Sequence, residues 1–299
     1  MNCRKKWRLR KSHSATQEAP ITLTTTISRQ TARPVQPRAR GAVAVSAKPS
    51  DRGAVLDRLR QSGSLKCLFP RRRGTALEGV LVNTAGGITG GDAFQVEAQV
   101  GPESALTLTT QAAERAYRAQ PGETGHLRTR ISVATGAQLN WLPQETILFQ
   151  NCALSRQLEI DLAPGASALV VEPLIFGRTA MGETVTEGRF VDRITLRRNA
   201  RPLYLDAMRF DGDMQAQLDR PYVAAGARAI ASLIYVAPDA QSHLTPLRTM
   251  LPDRAGASLI GDDLLVLRLL AGDGHDLRQS LLPILNRLTG DTLPRCWMI

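Results

Sequence analysis

Between residues 93 and 210 the chain alternates apolar and polar positions with a period of two. Phe94, Val96, Ala98 and Val100 point one way; so do Leu127, Thr129, Ile131 and Val133; so do Leu154, Arg156, Leu158 and Ile160; so do Leu203, Leu205 and Ala207. A pleated strand sends every second side chain to one face, so this half of the chain is predicted to be all-β. One helix is predicted to interrupt it, around residues 111–118, where Ala112, Ala113, Ala116 and Ala119 supply propensity and Glu114 precedes Arg118 by one helical turn. Upstream, residues 54–66 begin with helical apolar spacing and reach Gly63, after which residues 65–69 read as a strand closed by Pro70 and the arginines 71–73. Beyond Gly226 the apolar runs 230–236 and 264–270 are short enough for buried strands. Residues 244–251 predict a short helix, and residues 277–288 a longer one despite Pro283.

The pattern also repeats. The segment from Val133 through Gly136, Pro143 and Glu145 to Phe149 is echoed from Leu162 through Gly165, Glu172 and Pro173 to Phe176, with a fainter copy starting at Val100 and Gly101. Each unit reads as turn, strand, kink and strand. Such spacing suits stacked β layers, a β-helix-like solenoid with a few short helices, better than a closed up-and-down barrel.

The run from Leu81 to Asp92 (LVNTAGGITGGD) sits between two strand patterns and places Gly86, Gly87, Gly90 and Gly91 within six positions. That density implies backbone at positive φ or in close approach to a neighbour. A phosphate-binding loop would need Lys and then Ser or Thr after its last glycine, and a dinucleotide fingerprint would open a helix. Here Asp92 and a β alternation follow, so the stretch is predicted to be a structural turn in which Asn83 and Asp92 bond local backbone.

Charge changes the picture only at the beginning. Residues 1–50 hold eleven Lys or Arg against Glu18 alone, a net of +10 of the total +11, which leaves +1 for residues 51–299. Residues 1–38 are polar, basic and interrupted by Pro20, Pro34 and Pro37, and are predicted to be a disordered extension before a β domain over 39–299. A transit peptide or an upstream start codon would produce the same composition. Arg71–73 reads as a solvated turn or as a contact for an acidic surface. Few aromatics, none interleaved with a basic patch, argue against nucleic acid, and no apolar run is long enough to span a membrane. Cys3, Cys67, Cys152 and Cys296 are too scattered for a disulfide framework or zinc clip, as are the four histidines; a reducing, cytoplasmic setting is expected. Trp297 near the end either docks on the body or meets a partner.

Asp92, Glu145, Glu172 and Glu183 each lie beside a glycine, a proline or a strand end. Carboxylates so placed bond nearby N–H groups as turn acids, or face a shared interior where oxygen donors hold a divalent ion weakly. No G-x-S-x-G, H-E-x-x-H or paired Cys and His is present.

The chain resembles the UreD family of urease accessory proteins, called UreH in some organisms. The resemblance runs from about Val55 to Trp297. It is carried by five ordered blocks: 83–92 (NTAGGITGGD), 109–118 (TTQAAERAYR), 141–149 (WLPQETILF), 176–183 (FGRTAMGE) and 294–297 (PRCW). It implies a non-enzymatic chaperone that joins UreF and the GTPase UreG on apo-urease, so that nickel and carbonate reach the metallocentre. It further implies no tightly bound cofactor, with nickel only as transient cargo. On this reading Asp92, Glu145 and Glu172 line one internal nickel path. Two other readings stand beside it: a small-molecule enzyme using those three carboxylates, and a β-solenoid binding module with no metal role. The basic extension before residue 40 is longer than the family leads one to expect.

Overall fold

The computed structural model describes residues 36–71 and 74–298; the extension up to residue 35 and Arg72 and Arg73 of the arginine run lie outside the described residues. The body forms one compact unit, Arg38–Ile299. It opens with β1 (Arg40–Ser50), β2 (Gly53–Gly63), β3 (Leu65–Leu68) and β4 (Leu77–Asn83). The repeating part holds β5 (Ala93–Val100), β6 (Ala105–Thr110), β7 (Glu114–Ala116), β8 (Gly125–Val133), β9 (Gln138–Leu142), β10 (Thr146–Leu148), β11 (Ala153–Leu162) and β12 (Ser167–Phe176). It closes with β13 (Gly188–Arg198), β14 (Arg201–Gly212), α1 (Met214–Asp219), β15 (Ala229–Val236), α2 (Ala240–Met250), β16 (Ala255–Ile260), β17 (Leu264–Ala271) and α3 (Gly274–Thr289).

The chain winds between two sheets, giving the stacked, solenoid-like coils that the repeat predicts. A front sheet runs β14-β13-β11-β8-β5-β1-β2 and a back sheet runs β16-β17-β15-β12-β9-β6-β4-β3. Successive coils pair in parallel, β5 with β8 and β8 with β11 in front, β6 with β9 and β9 with β12 behind. Antiparallel strands close the edges, among them β2, β14 and β16. The inward positions of the two sheets interlock in one core. A second core lies between the back sheet and α2 and α3, which explains why β15 is buried along its whole length and reads as a continuous apolar run.

The turns linking front to back are equivalent in their hydrogen bonds. Ser104 N donates to Gly101 O at 3.2 Å, Ala137 N to Ala134 O at 3.1 Å and Ala166 N to Ala163 O at 3.1 Å. Gly101 therefore matches Ala134 and Ala163 rather than Gly136 and Gly165. The left-handed position that Gly136 (φ 66°) and Gly165 (φ 70°) occupy falls in the first turn to Glu103, at φ 52°.

Three sequence expectations fail for identifiable reasons. Residues 111–118 form no helix: Glu114 N donates to Glu145 O and Tyr117 N to Ile88 O, both at 2.8 Å, so the coil above and below recruits the segment as β7. An eight-residue helix is marginal on its own, and tertiary pairing overrides its propensity. Residues 54–62 belong to β2, and their helical spacing is the mark of a bulge. Ala47 pairs with Leu56 and Ser46 with Arg58, so Asp57 is the extra residue that spaces Leu56 and Leu59 by three opposite Ala47 and Val45. A second bulge at Leu203, between pairs Leu196–Tyr204 and Arg197–Pro202, reverses the phase of β14. Leu203 still packs against the core as predicted, but beyond it Tyr204, Met208 and Phe210 do so, while Leu205 is 66% exposed. The buried strands β15 and β17, the strand β3 and the helices α2 and α3 stand where the apolar pattern places them. No helix among the described residues is long and apolar enough to cross a membrane.

Candidate functional site

Between the two long sheets the coils form a third, short corner. Ile88 bridges Ala116, β7 pairs with β10, and β10 pairs with the end of β12 in the register Leu148–Phe176. Ile88, Ala116, Leu148 and Phe176 thus stack one above another, none more than 1% exposed. Four blocks separated by up to a hundred positions in the chain come together here. Tyr117 Oη donates to Gly86 O at 3.3 Å and packs edge-on to Phe149, with ring centroids 5.0 Å apart. The Arg178 guanidinium lies 4.5 Å over the Phe149 ring and binds Glu183 through Nε at 2.8 Å and Nη2 at 3.1 Å.

The glycine turn is built to fit this corner. Asn83 accepts from Ala85 N through Oδ1 at 3.0 Å and donates through Nδ2 to Gly87 O at 3.0 Å and Glu114 Oε2 at 3.1 Å. A Cβ on Gly87 would stand 2.2 Å from the Tyr117 ring, and one on Gly90 would stand 2.7 Å from Glu123 Cβ and 2.9 Å from Ala119 Cβ. Gly86 and Gly91 hold φ of 79° and 82°.

Behind the corner lies a cavity of about 260 Å³ that reaches from half-buried Asn83 and Glu114 to Trp141, Arg156 and Glu172 in the interior. Its inner wall carries charge. Arg156, on the inward face of β11, donates to Asp192 on β13 through Nε at 2.9 Å and Nη2 at 2.6 Å, and to Thr146 Oγ1 at 3.2 Å. Its Nη1 is 2.5 Å from Glu172 Oε2, and Glu172 Oε1 accepts from Trp141 Nε1 at 2.7 Å. Asp192 is the direct register partner of Arg156 across parallel strands, so the pair is set by the coil stacking itself. Side-chain exposure is 6% for Arg156, 4% for Glu172 and 3% for Asp192. Burial pushes the Glu172 carboxyl above its usual range against the pull of Arg156, with Asp192 adding to the rise. Burial also lowers the Arg156 affinity for its proton, but Asp192 and Glu172 more than offset this and hold the guanidinium charged. Glu114 is likewise raised, by burial first, with the Asn83 hydrogen bond opposing.

The three carboxylates predicted to share one path are not brought together. Asp92 is a turn acid whose Oδ1 accepts from Ala39 N at 2.7 Å and Oδ2 from Thr89 N at 2.8 Å, tying the glycine turn to the start of the body. Glu145 turns to the helical side, where Arg278 of α3 reaches it at 3.2 Å. Arg278 also donates to Gln144 Oε1 at 2.8 Å and Trp297 O at 2.7 Å, and Trp297 Nε1 donates to Leu142 O at 3.0 Å. Trp297 is fully buried, so the C-terminal block docks on the body beside block 141–149. Of these three only Glu172 lines the cavity, and among the described residues no group of three or more His, Cys, Asp or Glu is placed to hold a metal. The single site that the small-molecule enzyme reading requires is therefore not assembled from these three residues. Sequence reasoning missed Arg156 and Asp192 as a unit, although Arg156 already falls on the apolar face with Leu154, Leu158 and Ile160. An arginine in that phase demands a buried counter-charge.

A parallel coil of β layers, tied internally by ion pairs and closed by helices and a docked C-terminus, defines a stacked-layer β protein with a polar cavity at one corner. The chain belongs to the UreD urease accessory protein family, whose model matches residues 39–298. It is 57% identical to the urease accessory protein UreD of Ruegeria pomeroyi over 246 residues, which cover 82% of this chain and 96% of the relative. It is 50% identical to that of Roseobacter denitrificans over 271 residues, 90% and 99% of the two chains, and 42% identical to that of a Methylobacterium species over 273 residues, 88% and 96%.

Proposed function

We propose that this chain is a maturation chaperone that scaffolds UreF and the GTPase UreG on apo-urease and assists GTP-dependent insertion of nickel into the urease metallocentre. Family membership over residues 39–298 carries the reading. The geometry supports a scaffold role: the five blocks are spent on joining coils, packing a corner and docking the C-terminus. The carboxylates at these sites are bound by backbone N–H groups or by arginines, which suits holding a shape rather than turning over a substrate. Nickel is cargo in this scheme. Of the carboxylates considered for it, Glu172 is the one that lines the cavity, and the Arg156 guanidinium beside it opposes firm retention of a cation there.

Deleting the gene in a urease-producing host and assaying urease with and without added nickel and bicarbonate tests the proposal. The expected result is lost activity, partly restored by excess nickel and bicarbonate. Unchanged urease activity in the deletion strain would overturn it.

A further inference from the structure

The outward face of the front sheet divides into two halves of different charge economy. In one half the register aligns Glu97, Arg130 and Glu159 in one row and Ser132, Asp161 and Arg197 in the next. Here the basic groups meet acids: Arg130 Nε lies 3.4 Å from Glu159, Arg197 Nη1 3.6 Å from Asp161 and Lys48 Nζ 3.3 Å from Asp57. In the other half one row reads Ala42, Gln95, Arg128, Gln157 and Arg193, and the row beyond it begins with Arg40 and passes through His126 and Ser155. Arg189 continues this half on β13. Arg40, Arg128, Arg189 and Arg193 are exposed, and none has an acidic partner among the described residues.

Two shallow depressions of about 490 and 460 Å³ lie on this arginine-bearing half and share His126, Ser155 and Gln157. With neighbouring strands about 4.8 Å apart, Arg128 and Arg193, separated by β11, stand about 10 Å apart. Three residues of extended chain span the same distance. Gln95 and Gln157 alternate with the arginines in the first row and Ser155 lies in the second; the two amide nitrogens donate to Glu97 and Glu159, which leaves the amide oxygens and the Ser155 hydroxyl to meet the donors of a ligand. That alternation matches a peptide, which offers N–H and C=O groups as well as carboxylates. A phosphate backbone offers acceptors alone, and His126 is the one ring in these rows, with no Phe, Tyr or Trp beside it to build a stacking platform for bases.

We propose that this half of the front sheet is a docking surface for an extended, carboxylate-rich segment of a partner protein, gripped chiefly by Arg128 and Arg193. Uncompensated guanidinium groups on a flat polar face focus a positive field that attracts such a segment, and the planar fork of each arginine then engages a carboxylate in two bonds.

The test uses the full chain and a fluorescein-labelled eight-residue peptide of alternating Glu and Ser, followed by fluorescence anisotropy. R128S/R193S is compared with R130S/R197S; both remove two positive charges, so general attraction, including that of the basic first 35 residues, changes equally. Binding at least tenfold weaker in the first pair, and within twofold of the unaltered chain in the second, is expected. Equal losses in both pairs, no loss in either, or no binding by the unaltered chain would overturn the proposal. A twelve-residue oligothymidylate forms a further arm, and a larger loss for it than for the peptide in R128S/R193S would reassign the face to nucleic acid. Should R128S/R193S fail to fold, R128K/R193K against R130K/R197K makes the same comparison. Lysine keeps the charge and loses the bidentate fork, so a loss of threefold or more confined to the first pair is expected, and no difference between the pairs overturns the assignment.

Discussion

Arg156 and Glu172 face each other from opposite sheets with 2.5 Å between Nη1 and Oε2, closing the inner end of the cavity with a charge pair shared by Asp192. One guanidinium serves two carboxylates in a setting where none of the three is more than 6% exposed. The lost hydration of its members weighs against their mutual attraction, but removing one partner strands a charge that water no longer reaches.

Arg156→Met removes the cation and leaves two carboxylates buried side by side. We expect a loss of about 3–5 kcal/mol, the cost of stranding a buried charge. Asp192→Asn leaves Arg156 paired with Glu172 and should cost less than half as much. Urea unfolding followed by circular dichroism checks both. Equal midpoints for the two variants would show that the pair with Glu172 contributes nothing.

Glu114 makes a pH prediction. Its carboxyl is raised from the ordinary 4.5 by burial, so between that value and its higher folded value the native state binds a proton that the unfolded state has released. Stability therefore falls as pH rises through that window. Glu114→Gln should flatten this fall while keeping an acceptor for Asn83. Urea midpoints measured at intervals from pH 4 to pH 7 check it, and an unchanged slope in the variant would assign the dependence to another group, Glu172 first.

How far the sequence foretold this molecule depends on the range of the interaction involved. Period-two alternation located the strands because inward and outward sides differ in polarity, and the repeat located the coils because each turn is copied. The phase of β14 and the nature of β2 were hidden by single inserted residues, Leu203 and Asp57, whose effect exists only opposite a partner strand. Residues 111–118 were misread because their alanines favour a helix locally, while their hydrogen bonds go to Ile88 and Glu145, far away in the chain. The acids at the kinks were recognisable as special, but Asp92, Glu145 and Glu172 leave their coils in different directions. Their partners, Ala39, Arg278 and Arg156, could not be read from spacing.

The glycine turn should fail by steric conflict. Gly87→Val drives a branched side chain into the Tyr117 ring, and Gly90→Val drives one into Glu123 and Ala119. A cost of about 1–3 kcal/mol is expected for each, as for other overpacked sites. Insoluble protein on expression is the expected outcome. A soluble variant with an unchanged melting temperature and no urease activation would show instead that this corner is a contact surface for a partner.

Glu145 lies in the break between β9 and β10, Glu172 within the continuous β12 of the next coil, and isosteric amides separate their roles. Glu172→Gln keeps an oxygen for Trp141 Nε1 and nearly the same volume but removes the negative charge facing the cavity. With Asp192 still paired to Arg156, the fold should survive. If the cavity handles a divalent cargo, urease activation should drop several-fold and recover in part with excess nickel, since a weaker local field is offset by a higher ion concentration. Glu145→Gln alters a group directed at Arg278, outside the cavity, and Arg278 retains Gln144 and the Trp297 carbonyl. Activation should then stay within about twofold, with at most about 1 kcal/mol lost from the docking of the C-terminal block. The measurement is urease activity in cells carrying each variant across a nickel series, with expression matched. Equal responses of the two variants would mean that the cavity has no part in handling the ion.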